Sequence, residues 1–177
     1  VKITLTNFKR FGADSQTFEF APLTYILGAN STGKSSLFQC LLAVRQSIEA
    51  GRWLELLPRG RHVDLGAFRN FVHEHDLEAT IILELADERL GRIVFSWISD
   101  SDGNRGVLSR IEIEHTGFLL RLTPSRSLAE SRGPLTDFEF SIDELKRTNG
   151  ADPTSPAAPT GSDGAASEDL GTLASFL

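Results

Sequence analysis

Cysteine, methionine and long apolar runs are the scarce features of this chain. Among 177 residues there is one cysteine, Cys40, and no methionine. A single thiol excludes any disulfide framework within the chain and suits a reducing, cytoplasmic setting. Cys40 falls between apolar neighbours in a predicted helix and reads as a small buried hydrophobe. No apolar run is long enough to cross a membrane, and no signal peptide is recognisable, so the expectation is a cytoplasmic protein without a membrane partner. A basic excess is missing too. The net charge is −6, and because Asp152, Asp163, Glu168 and Asp169 supply −4 beyond Arg147, where Lys and Arg cease, −2 remains on residues 1 to 147. Such a near-neutral body is not that of an autonomous nucleic-acid binder, although a local arginine patch is compatible with it.

What the chain does contain is a phosphate-binding loop pattern. Gly28-Ala29-Asn30-Ser31-Thr32-Gly33-Lys34-Ser35 satisfies G-x-x-x-x-G-K-[ST] at every defined position. By average residue usage a chance occurrence in a chain of this length is roughly a one-in-a-few-hundred event. The flanks agree with the motif. Leu23 to Leu27 is short, apolar and β-rich, as expected of a strand buried on both faces. Leu37, Leu41, Val44 and Ile48, with Phe38 and Leu42 beside them, recur at helical spacing, and Gly51 supplies a stop.

Strand, loop and helix in that order let backbone N–H groups and the helix N-terminus face an anion. Gly28 and Gly33 allow a tight turn without a Cβ. Lys34 is the expected contact to the β- and γ-phosphates of ATP. Ser35 offers a neutral oxygen to Mg²⁺, and Thr32 and Ser36 would donate at the α and β positions. A solvated Gly/Ser/Thr turn is the weaker alternative.

Around this element the expected organisation is an α/β (mixed α+β) lobe with a strand-loop-helix core and an antiparallel β layer, spanning residues 1–147. Val1, Ile3 and Leu5 alternate, and Thr17 to Phe20 forms a second strand joined through the turn-rich Gly12 to Gln16. Arg52 to His62 reads as an irregular connection, and Ala67 to Val72 as a short helix. Period-two patterns then follow through Leu77 to Leu85, Ile93 to Trp97, Leu108 to Ile113, Leu120 to Leu122 and Phe138 to Ile142, with turns at Ser99–Asn104 and Thr116-Gly117. Residues 148–177 are Pro/Gly/Ala/Ser-rich up to Ser167 and read as a linker or disordered tail, with an apolar end from Leu170. There is no internal repeat.

Hydrolysis requires an acid on a buried strand to hold Mg²⁺ and a group to orient water. Ile81-Ile82-Leu83-Glu84 with Asp87-Glu88 is the nearest pattern, but Glu84 interrupts an alternating strand and the acidic pair falls in a turn, so no catalytic residue is identified. His73, His75 and Asp76, with His62 and Asp64, can be drawn as a metal site, yet they lack a fixed ligand spacing and read better as loop residues. Arg52, Arg59 and Arg61 could touch nucleic acid or a partner; a solvated loop is favoured.

Ile3 to Gly12 (ITLTNFKRFG), the loop GANSTGKSS and the helix LFQCLLAVRQS together resemble the N-terminal segment of ABC-type ATPases of the SMC, RecF and OLD group. Val63 to Val72 (VDLGAFRNFV) resembles a segment of bacterial AAA-family ATPases related to that group. The resemblance covers roughly residues 1 to 115. It implies an N-terminal lobe with ATP and Mg²⁺ as cofactors and two heads sandwiching two nucleotides. It also implies a C-terminal lobe that supplies the signature motif, the Asp-Glu strand and a switch histidine, none of which is visible here. By the same resemblance the nucleotide contacts would be Gly28, Ala29, Asn30, Ser31, Thr32, Gly33, Lys34, Ser35 and Ser36. Asn30 would lie near the γ-phosphate, and Lys9 and Arg10 would match a basic pair near the nucleotide. The implied partners are a second ATPase head or the C-terminal lobe, in a homodimer or higher oligomer, with a nuclease or DNA beside them in DNA repair or anti-phage defence. The family's glutamine-loop residue has no obvious counterpart; Gln39 and Gln46 read as structural or surface residues. Two readings result: an ATPase lobe coupling Mg-ATP to head association, or a non-hydrolysing, nucleotide-dependent interaction module. A P-loop kinase or GTPase is disfavoured, because there is no alternating strand-helix series and no Asn-Lys-x-Asp.

Overall fold

Alternating apolar and polar residues let each strand bury one face and solvate the other. In the computed structural model, which describes residues 1–89, 91–115, 118–124 and 140–147, this produces one antiparallel sheet. Its strands are β1 (Lys2–Thr6), β2 (Gln16–Glu19), β3 (Glu55–Leu56), β4 (Ile81–Asp87), β5 (Gly91–Ser99), β6 (Gly106–His115), β7 (Phe118–Pro124) and β8 (Phe140–Arg147). The order is β2-β1-β4-β5-β6-β7-β8, with β3 added against the start of β6. Among the described residues two helices, α1 (Lys34–Glu49) and α2 (Phe68–Phe71), accompany it, and a 3-10 turn covers His73–His75. The architecture is mixed α/β with an antiparallel sheet.

Register aligns the apolar residues into rows. Leu5 pairs with Leu83, Leu83 with Phe95 and Phe95 with Ile111, while Ile3, Leu85, Ile93 and Ile113 form the next row. Against this face pack Leu37, Cys40, Ala43 and Val44 of α1 and Phe68 and Phe71 of α2. The opposite face carries charge: Arg92 bonds Glu84 at 2.8 Å, and Arg121 and Arg110 each lie 3.2 Å from Glu112. Glu84 therefore belongs to a solvated ion-pair face, where the alternation of β4 puts it.

Helix α1 ends where glycine permits: Ala50 caps it, and Gly51 at φ 66° takes the left-handed position that closes such ends. Its buried stripe is rotated from the expected one. Cys40, Ala43 and Ser47 are buried with Leu37 and Val44, Leu41 and Ile48 are only partly buried, and Phe38 is exposed. Small residues allow α1 to approach the sheet closely, which the count of large apolar residues does not reveal.

Two strand expectations are overturned: β4 begins at Ile81, so Leu77 to Ala79 is turn rather than strand, with Leu77 exposed, and the second failure is the segment before the loop. Leu23 to Leu27 forms no strand and is not buried on both faces: Leu23, Tyr25 and Leu27 are 73%, 79% and 90% exposed, and only Ile26 packs against the core. The segment begins with a local turn in which the Thr24 hydroxyl donates to Ala21 O and accepts from Ala21 N–H. A doubly buried strand needs neighbours on both sides, and all the described strands are engaged in the antiparallel sheet. The expected short helix at Ala67 to Val72 is present as α2, whereas β3 arises inside the stretch expected to be irregular. Thr116-Gly117, Phe138 and the expected tail at 148–177 lie outside the described residues.

Candidate functional site

The loop after Leu27 must turn sharply to reach α1, and its backbone does so through two left-handed residues, Ser31 at φ 64° and Gly33 at φ 96°. Gly33 is required twice over. A Cβ there would sit 2.9 Å from the Phe11 ring as well as facing the unfavourable φ. At Gly28 a Cβ would meet the Thr32 hydroxyl at 3.0 Å. Phe11 is buried and stacks edge-on with Phe18 at 5.5 Å, so the loop rests on the core formed by β1, β2 and their connection.

Lys34 opens α1 with its side chain folded back along the loop. Its Nζ donates to Gly28 O and to Ala29 O, both at 2.6 Å, and the Thr32 hydroxyl donates to Ala29 O at 2.9 Å. Ser35 is exposed in the first helical turn beside a half-buried Ser36. Two further cations come from the β1–β2 connection. Lys9 and Arg10, with Asn30, Ser31, Thr32, Gly33, Lys34, Ser35 and Ser36, line a cleft of ≈ 400 Å³.

That lining brings three cations, three serine hydroxyls, one threonine hydroxyl and the N-terminus of a helix together without a carboxylate. It is chemistry suited to a multiply charged anion. A larger cleft of ≈ 800 Å³ near Val1 and the 87–92 turn is lined by Asp87, Glu88 and Glu114 against Lys2, Arg89 and Arg92. Its mixed charges and lack of a helix end make it the poorer anion site, despite its size.

The structure adds residues that the sequence reading did not assign. Gln39 accepts from Lys9 Nζ at 2.6 Å, fixing the ammonium against the second turn of α1. Partial burial pushes the pKa of Lys9 below the ordinary lysine value. The Lys9 backbone is left-handed at φ 51°, and its N–H donates to Phe71 O at 2.7 Å. Because a carbonyl only accepts, the 2.7 Å contact between His73 Nδ1 and Lys9 O places a proton on Nδ1. No motif signalled these contacts, since they join segments 30 to 64 residues apart.

Other candidates separate. Gln46 is buried, donating to Leu57 O at 2.6 Å and accepting from His62 and Val63 N–H, so it pins the 57–63 connection. His62 pairs with Glu49 at 2.7 Å, Asp64 with Arg59 at 3.2 Å, and Asp76 caps the N–H of Glu78. Among the described residues no group of three or more His, Cys, Asp or Glu side chains could hold a metal ion, and the drawn histidine cluster is not one. Arg52 is committed to the buried Glu55 at 2.6 Å, while Arg59 and Arg61 remain on an exposed loop.

Comparison with known proteins gives one positive finding: a family model described as an AAA domain matches residues 2–44. The match runs from β1 through the loop into α1 and supports a general ATPase-like, nucleotide-binding domain. No curated protein and no solved structure gave a significant match. No helix among the described residues is long and apolar enough to cross a membrane.

Proposed function

We propose that this chain is the Mg-ATP-binding N-terminal lobe of an ABC-type ATPase of the SMC, RecF and OLD group. The observation that carries the proposal is the convergence of Lys9, Arg10 and Lys34 on a carboxylate-free cleft at the start of α1. A triphosphate brings the negative charge that such a cleft lacks, and the residues present fit it. Lys34 would exchange the Gly28 and Ala29 carbonyls for β- and γ-phosphate oxygens. The loop N–H groups, Thr32 and Ser36 would donate to the α- and β-phosphates, Asn30 would face the γ-phosphate, and Ser35 would offer its oxygen to Mg²⁺. Bound Mg²⁺ would neutralise part of the phosphate charge.

Leu23, Tyr25 and Leu27 before the loop and Phe38 in α1 are exposed, and covering such large apolar side chains is favourable, which supports a second lobe packing here. In this reading a C-terminal lobe or a second head supplies the groups for hydrolysis, and Mg-ATP drives head association. A setting in DNA repair or anti-phage defence, with a nuclease or DNA beside it, extends the same resemblance. The alternative, a nucleotide-dependent interaction module that does not hydrolyse ATP, is favoured by the absence of a carboxylate among the cleft-lining residues. Phosphate release at saturating Mg-ATP tests the incomplete lobe: the chain alone is expected to match its Lys34→Ala variant. Turnover that Lys34→Ala abolishes would mean that the lobe is catalytically sufficient.

A further inference from the structure

We infer that His73 is a positioning residue for the cleft, holding Lys9 in the one backbone conformation that directs its ammonium to the phosphate loop. The inference rests on the polyphosphate reading of the cleft. Its evidence is a two-point clamp: His73 N–H donates to Asn7 O at 3.0 Å, and His73 Nδ1–H donates to Lys9 O at 2.7 Å. Asn7 and Lys9, at φ 55° and 51°, both lie in the left-handed region that non-glycine residues seldom occupy. Such conformations persist only when surrounding contacts over-determine them. Lys9 has three such contacts: its N–H to Phe71 O, its carbonyl to His73 and its ammonium to Gln39.

Gly12 completes the device. A Cβ at this position would lie 2.9 Å from His73 Nε2 and 3.2 Å from Cδ2, so a bare Cα is what lets the imidazole reach Lys9 O. Phe8 is buried and packs its ring 5.8 Å from Phe71, fixing the two segments side by side. The ring of His73 is thus aimed at a backbone carbonyl and acts on the cleft through Lys9. Loss of the imidazole frees the carbonyl, the backbone relaxes to negative φ, and the direction of the Lys9 side chain changes with it.

A double-mutant cycle tests this on the full chain. Mg-ATP affinity is expected to fall about tenfold in His73→Ala and by a similar factor in Lys9→Ala, the range of a lost charge-assisted contact. The double variant should bind no more weakly than Lys9→Ala, and His73→Asn should recover most of the affinity because its amide can occupy the Nδ1–H position. Losses that multiply, or a His73→Ala protein that binds like wild type, would overturn the inference. Should His73→Ala not fold, His73→Asn and His73→Gln make the same comparison: Gln places its amide toward Gly12, and equal affinities would contradict positioning through Lys9 O. A readout free of nucleotide is the NMR titration of ¹³C-methylated Lys9. Its midpoint, depressed in the wild type, should rise toward that of an ordinary lysine in His73→Ala, or in His73→Gln where only that variant folds, and an unmoved midpoint would overturn the inference. If wild type binds no Mg-ATP, the polyphosphate reading fails, and this titration alone still decides whether His73 positions Lys9.

Discussion

Single residues on this scaffold act mainly by settling where backbone polar groups go. Asp100 shows it in the turn between β5 and β6. Its Oδ1 accepts from Asn104 N–H at 2.7 Å and Arg105 N–H at 3.1 Å, and its Oδ2 accepts from Arg105 Nε at 3.0 Å. Burial pushes its pKa up, but the backbone N–H groups of Arg105 and Asn104 and the Arg105 guanidinium outweigh that and hold it below the ordinary 3.8. A carboxyl with a depressed folded pKa contributes stability above its unfolded value and loses it as pH falls through the folded one. Asp100→Ala should therefore cost about 1–3 kcal/mol at neutral pH, the scale of unsatisfied buried polar groups. In urea titrations the gap between the two proteins should narrow as pH drops below 3.8. A gap independent of pH would assign the loss to packing. Cys40 behaves differently: burial pushes its thiol up to about 12, which makes it an inert part of the α1 seam.

At the scale of elements, the sheet and the segment before the loop form a sharp contrast. Leu83 is fully buried in the central row, whereas Leu27 lies almost wholly in solvent. Leu83→Ala should destabilise the chain by about 2–5 kcal/mol. Leu27→Ser should change its stability by no more than about 0.5 kcal/mol. Equal losses in chemical denaturation would mean that Leu23 to Leu27 is buried in solution.

The same contrast explains what was legible in the sequence. Strands β4 and β6 could be read because period two survives where one face is buried and the other carries ion pairs, and β5 because Ile93, Phe95 and Trp97 alternate although Val94 and Ser96 between them are buried too. The turn at the loop could be read because Gly33 takes a left-handed φ of 96° that a side chain disfavours. An apolar run such as Leu23 to Leu27 states only that burial is favourable, and its partner has to be supplied by other residues. Strand β3 is two residues long and too short to carry a period, and the clamp of His73 on Lys9 joins distant segments without a pattern of its own.

As a whole molecule, the chain divides its surface by chemistry. The outer sheet face is laced by Glu84, Arg92, Glu112 and Arg121 and needs no partner, since such pairs are already neutralised and individually contribute little. The cationic cleft lies at the start of α1, and exposed apolar residues occur on either side of its loop in sequence, Leu23, Tyr25 and Leu27 before it and Phe38 in α1 after it. The proposed link between nucleotide binding and association starts from this arrangement of a cationic loop flanked in sequence by exposed apolar side chains. The most direct test is a calorimetric titration of the folded chain and of Lys34→Ala with Mg-ATP. Saturable binding to the wild type should weaken about 10- to 100-fold in the variant, the range of a lost charge-assisted phosphate contact, with unchanged thermal stability. Equal affinity in the two proteins, or no binding to the folded wild type, would contradict the assignment of the loop as an independent nucleotide site.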